Sequence, residues 1–332
     1  MKKLLTLLIF LSCTSQAFAA DSPFGFDDDE EEKEVIQERI NPDPMREMLT
    51  ALVAEVPEEE VVNLPLGENK TFLALEKLSL RFKPKGQVLM LPGDGQHPDW
   101  PLGIAPLRQV LPEYGWTTLS ISLPVYKGTG VAKRTLPPGP LLTYTSINAV
   151  PDSDEEQADS ELEADAGFLS MDDEEEKEEV VIEVVDPAEA LKEHRTLVEP
   201  RVQAALQHLG AQGKLVLVLQ GESIYWLQPW LEAGNLSKHS PLILLYVEAP
   251  AGADSASFAK LIKKLGKRPI LDIYAGQNTL QANWAAERKK AYLRAGNNQA
   301  VQLPVKVPVS SADGTDSRWL TQRVEGWLRG LR

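Results

Sequence analysis

Cysteine is nearly absent from the chain: its 332 residues contain one, Cys13, inside the amino-terminal leader. Once that leader is removed the mature chain is free of cysteine, so a disulfide framework, a thiolate metal site and a cysteine nucleophile are all excluded. Histidine is scarce too: the four histidines, His97, His194, His208 and His239, show no ligand spacing. No glycine-rich phosphate loop with a Walker-type lysine is present. Asp152-Ser153-Asp154-Glu155-Glu156 lacks the glycine and the spacing of a calcium loop. Neither a cofactor nor a metal is therefore expected. Beyond the leader there is no apolar run long enough to span a bilayer, so the chain is read as soluble and not membrane-spanning.

The leader itself is distinct. Met1-Lys2-Lys3, an apolar core from Leu4 to Leu11 and the small residues around Ala17-Phe18-Ala19 match a cleavable secretory signal over residues 1–19. The expected address is the periplasm. The formal charge of −15 becomes −17 without the leader lysines, and two tracts account for more than all of it. Asp27 to Glu34 carries net −6 and Asp152 to Asp186 carries net −16, which leaves +5 for the rest of the mature chain. The tracts share Asp28-Asp29-Glu30-Glu31-Glu32-Lys33-Glu34, repeated as Asp172-Asp173-Glu174-Glu175-Glu176-Lys177-Glu178. A stretch so acidic and so poor in aromatics cannot offset the entropy of ordering its backbone, so residues 151–186 read as a disordered insertion. Lys260, Lys263, Lys264, Lys267 and Arg268 offer the tract a basic docking surface within the same chain. Residues 20–60 read as an acidic, partly disordered lead and residues 61–332 as the folded domain. Nothing in this pattern suggests a nucleic-acid partner.

Within that domain, apolar strands alternate with helical spacing. Thr71–Leu80 reads as an antiparallel strand at a sheet edge, and Gln87–Leu91 and Trp116–Leu123 as buried strands around a helix over Ile104–Tyr114. After the insertion come a helix over Ala188–Leu209, a strand at Leu215–Leu219 and a helix opening at Ser223. Strands at Leu242–Val247, Ile270–Tyr274 and Ala300–Leu303 alternate with helices over Ser255–Leu265 and Leu280–Ala295. A last helix aligns Trp319, Leu320, Val324, Trp327, Leu328 and Leu331. The alternation predicts an α/β fold with a mostly parallel central sheet covered by helices on both faces. Its ligands should collect at the carboxyl ends of the strands, in the loops after Leu91, Leu219, Val247, Tyr274 and Leu303.

The chain is organised around Leu215 to Trp226, where a doubly buried strand meets Gly221 and then a helix. Ser223 at such a turn resembles the nucleophile of an elbow. The acid and histidine that should follow it are missing. Counting along the loop after Ile270–Tyr274 lands on Gln277-Asn278, and the last histidine, His239, precedes the final strand. Two readings of Ser223 stay open. It caps the helix amino terminus, or it forms a dyad with His97, oriented by Asp94 or Asp99. Glu222 beside it is either a general acid or a carboxylate stabilised by the helix dipole.

The chain resembles a family of exported proteobacterial proteins of unknown function classed as α/β-hydrolase-like. The likeness rests on Gly95-Gln96-His97-Pro98-Asp99-Trp100-Pro101 and Gly115-Trp116-Thr117-Thr118-Leu119-Ser120. It continues in Pro269-Ile270-Leu271-Asp272-Ile273-Tyr274 and Arg323-Val324-Glu325-Gly326-Trp327-Leu328. The resemblance implies the α/β-hydrolase fold and a periplasmic setting, and supplies no reaction. The expectation is a pseudoenzyme that binds a small molecule or a periplasmic protein through its cleft or acidic tracts. The alternative is a divergent serine hydrolase acting on an ester or amide through Ser223 and His97.

Overall fold

The computed structural model describes residues 43–67, 70–128, 186–210, 213–254, 256–306 and 315–331. The leader, the first acidic tract and the insertion, except Asp186, lie outside these residues. Eight strands form one sheet: β1 (Val61–Pro65), β2 (Thr71–Lys77), β3 (Gly86–Leu91), β4 (Trp116–Ile121), β5 (Lys214–Gln220), β6 (Leu242–Leu245), β7 (Ile270–Ala275) and β8 (Ala300–Val305). Their order is β1-β2-β4-β3-β5-β6-β7-β8. β2 runs antiparallel to both β1 and β4, and every later pair is parallel. This is the α/β-hydrolase arrangement. The Thr71 strand is antiparallel as expected, but it is not the edge: the short β1, ending in Pro65, covers it. Proline cannot donate to a ladder, which suits that segment to the outside position.

Strand sequence explains the two layers. In β5, Leu217 and Leu219 point to one face and Val216 and Val218 to the other, and all four are buried. The same alternation holds in β3 and β6, the neighbours of β5. On the first face the leucines meet Val198 and Val202 of α3 (Pro187–Leu209), Ile224 and Trp226 of α4 (Ser223–Trp226), and Leu261 and Ile262 of α6 (Ser257–Leu265). On the second face the valines meet Ile104 and Leu107 of α2 (Ile104–Val110) and Leu320, Val324 and Leu328 of α8 (Thr315–Gly330). The aligned apolar face expected for the last helix is thus used in full. Close approach of β3 and β5 explains Gly86, where a Cβ would stand 2.1 Å from the Lys214 carbonyl oxygen.

Before the sheet lies α1 (Pro44–Glu55), within the stretch expected to be a partly disordered lead. Asp43 caps it, accepting the N–H groups of Met45 and Arg46 at 3.2 Å. The insertion ends in similar fashion, with the Asp186 side chain accepting the Ala188 N–H at 2.9 Å to start α3. α5 (Gln228–Glu232) follows α4 directly, and α7 (Thr279–Arg294) joins β7 to β8.

Candidate functional site

At the carboxyl end of β5 the chain must reverse from an extended strand into a helix. The residue that takes the left-handed conformation is Gly221, at φ +57°. Its N–H donates to the Leu245 carbonyl at 2.9 Å, and its own carbonyl accepts the Glu248 N–H at 3.2 Å. The turn is thereby tied to the loop after β6. The sharp strand-to-helix turn that presents a nucleophile in an elbow is this one, and it carries no side chain. Ser223 lies two residues further on, as the first residue of α4. It is wholly buried, and among the described residues its hydroxyl reaches only main-chain carbonyls, Gln220 at 2.7 Å and Leu91 at 3.4 Å. Nor is Ser223 the helix cap, because Glu222 occupies that position.

His97 sits in the loop after β3. Its Nδ1 accepts the Asp99 N–H at 3.2 Å, and its ring packs edge-on against Trp100 with centroids 5.3 Å apart. Burial holds the imidazole below its usual basicity, outweighing the charges of Asp99 and Glu55. Asp99 does not orient His97 through its carboxylate: that group accepts Arg108 Nε at 2.8 Å, and Arg108 also pairs with Glu60. Asp94 accepts the Tyr126 N–H at 2.8 Å. No hydrogen bond joins Ser223 to His97, Asp94 or Asp99 among the described residues. Asn278, reached by counting to the triad's acid, instead caps α7 by accepting the N–H groups of Leu280 and Gln281 at 3.0 and 3.2 Å.

What the structure does bring together is Asp94 and Glu222, whose carboxylate accepts the Asp94 N–H at 3.1 Å. Both line a cavity of about 720 Å³ at the carboxyl ends of β3, β5, β6 and β7, in the range of small-ligand sites. Glu248 completes a set of three carboxylates, and among the described residues no lysine, arginine or histidine lines the cavity. Trp100, Leu102 and Tyr246 supply apolar surface, and Gln96, Gln220, Gln277, Asn278 and Gln281 supply amides. Burial, reinforced by the Glu248 and Asp94 charges, pushes the Glu222 carboxyl above its ordinary value despite the main-chain N–H bonds it accepts.

Tyr246, immediately after β6, is the one non-glycine residue with positive φ among those described, at +50°. Its N–H donates to the Ile273 carbonyl at 2.8 Å, and burial pushes its phenol up to about 12. Such strained residues cluster at binding and catalytic sites.

Sequence reasoning pointed to the loops after Leu91, Leu219, Val247, Tyr274 and Leu303; the first four contribute to this cavity, and among the described residues none after Leu303 lines it. It did not single out Glu248, Tyr246, Gln220 or Gln281. The signal for the acidic wall was available in the spacing of Glu222 and Glu248, each a few residues past a buried apolar strand. Of the proposed basic docking residues, Arg268 is unavailable: it is buried and donates to the Leu236, Ser237 and Ser240 carbonyls. The tract proposed to dock there lies outside the described residues. No helix of the described residues is long and apolar enough to cross a membrane.

Comparison with known proteins places the chain in a family. The family described as "Protein of unknown function (DUF3530)" matches residues 2–330, and the chain belongs to it. No curated protein matches the sequence. Among solved structures, the esterase domain of a Rhodothermus marinus protein is similar at 9% identity and a TM-score of 0.46, over 81% of this chain and 97% of that one. A cold-adapted esterase from an Arctic intertidal metagenomic library is similar at 13% identity and a TM-score of 0.47, over 82% of this chain and 92% of that one. Est1E from Butyrivibrio proteoclasticus is similar at 8% identity and a TM-score of 0.45, over 81% of this chain and 99% of that one.

Proposed function

We propose that this member of the family is a non-catalytic, exported protein that keeps the hydrolase scaffold and binds a small molecule in the cleft at the carboxyl edge of its sheet. The observation that carries the reading is Gly221 at the strained turn after β5, where an elbow would present its nucleophile. A turn without a side chain cannot form an acyl intermediate. The nearest hydroxyl, on Ser223, is buried and bonded to main chain. A nucleophile needs a base within hydrogen-bond reach and access to substrate, and Ser223 has neither among the described residues. The cleft itself is retained, with a ligand-sized volume and convergent polar groups. The periplasmic address rests on the leader sequence.

Labelling of the full chain with a fluorophosphonate probe tests this reading. The expected result is no stoichiometric adduct by intact mass, in either the wild type or Ser223→Ala. Rapid labelling that disappears in Ser223→Ala overturns it and restores the serine-hydrolase alternative.

A further inference from the structure

The cleft wall is rich in hydrogen-bond acceptors. Asp94, Glu222 and Glu248 present three carboxylates, and among the described residues no Lys, Arg or His pairs with any of them. Two amides add to this. Gln220 and Gln281, 2% and 3% exposed, both line the cavity, and the Oε1 of each is buried without a partner. The orientation of each amide is fixed by its other end. Gln96 Oε1 accepts the Gly93 N–H at 2.9 Å, so it can only accept again from Gln220 Nε2, at 2.6 Å. Gln281 Nε2 donates to Glu248 Oε1 at 2.8 Å and to the Tyr246 carbonyl at 3.4 Å. Neither can be turned to present a donor without placing two acceptors face to face. A buried acceptor without a donor is costly, so two in one wall call for an explanation.

Charge and size narrow the ligand. Among the described residues an anion would meet three carboxylates and no cation, which disfavours it electrostatically. A bare metal ion does not suit the spacing: no three His, Cys, Asp or Glu side chains among the described residues come close enough to hold one. The charge is spread over a cavity of about 720 Å³ that also carries Trp100, Leu102 and Tyr246. A donor-rich cation with an apolar body matches both properties, since ammonium hydrogens satisfy carboxylate oxygens while aromatic faces attract the charge. We propose that the cleft binds an organic ammonium ion, drawn in by the combined charge of Glu222, Glu248 and Asp94, with its apolar or aromatic body against Trp100 and Leu102. This rests on the reading of the cleft as the binding site.

Three probes of similar size separate the proposal from that reading: benzylamine, benzyl alcohol and benzoate, titrated at pH 7 and constant ionic strength into the full chain by ligand-observed NMR. Benzylamine is expected to bind about tenfold more tightly than benzyl alcohol, and benzoate least tightly. Because the acidic tracts also attract amines, the deciding comparison is the double variant Glu222→Gln/Glu248→Gln, which keeps one acceptor oxygen at each position and leaves the tracts intact but removes two cleft charges. It should weaken benzylamine about tenfold and leave benzyl alcohol unchanged. Trp100→Leu, which leaves all the charges in place, should weaken both. Equal affinity for benzylamine and benzyl alcohol in the wild type, or benzylamine binding untouched by the double variant, overturns the ammonium proposal and leaves the cleft as a site for neutral ligands. Failure of all three probes to bind overturns the cleft reading as well.

Discussion

Two carboxylates in this molecule are treated in opposite ways. Asp272, in the middle of β7, is completely buried and fully compensated. Arg288 of α7 forks onto it, Nε to Oδ2 at 2.8 Å and Nη2 to Oδ1 at 2.9 Å, while Tyr292 and Gln302 donate to Oδ2 at 3.1 and 2.8 Å. Glu222, at the rim of β5, accepts main-chain N–H groups and faces two further acids. The first arrangement closes its own electrostatics and ties α7 to β7 and β8. The second leaves charge unbalanced at the spot where the fold places ligands. A chain able to build the Asp272 network has the means to neutralise a buried acid, so the bare Glu222 reads as a site awaiting its counter-charge.

The largest expected effect breaks the closed half. Arg288→Met should leave Asp272 as an uncompensated buried charge and cost about 3–5 kcal/mol, read as a fall in the urea midpoint. Adding Asp272→Asn should recover much of that loss, because the penalty lies in the orphaned charge. A cost below about 1 kcal/mol for Arg288→Met would show the network to be incidental.

A smaller effect sharpens the contrast with a second uncompensated group. His194 is buried between the rings of Tyr126 and Trp226, at 5.3 and 4.5 Å, and its Nε2 has no partner. Burial, with the nearby charge of Arg201, lowers it from 6.5 to about 4. The unfolded chain therefore takes up a proton that the folded one refuses. The neutral ring's contribution is complete above pH 6.5 and is lost as pH falls to about 4, a span worth about 3 kcal/mol. Against His194→Phe measured in parallel, the wild type should lose that much more stability between these limits. Parallel curves would mean that His194 accepts a proton in the fold.

Much of this architecture is legible in the sequence, because short apolar runs such as Leu215–Leu219 and Leu242–Leu245 between helical stretches read as strands covered on both faces. The site is legible by place and not by register. The apolar run Leu215–Leu219 suggests a strand that stops there, whereas β5 continues through Gln220, paired with Leu245. That one further residue puts the turn on Gly221 and moves Ser223 inside the fold. A glycine directly after the last paired residue was the available signal. Asp272 was legible as an anomaly, a lone acid in an apolar strand. Its partner sixteen residues later could not be named, since the pairing depends on how α7 lies across the sheet.

The most direct test is the titration of Glu222 itself, followed by carboxyl-carbon NMR in the full chain and assigned with Glu222→Gln. Its neighbours across the cleft are Glu248 and Asp94, and among the described residues no cation lines the site. Burial and these charges predict a folded-state value above the ordinary 4.5. Ionising Glu222 then costs stability: its contribution is present below pH 4.5 and is lost as pH rises through the folded value. Saturating benzylamine should bring that value back down. A Glu222 that titrates at or below 4.5 in the free protein would contradict the account, because its charge would already be balanced.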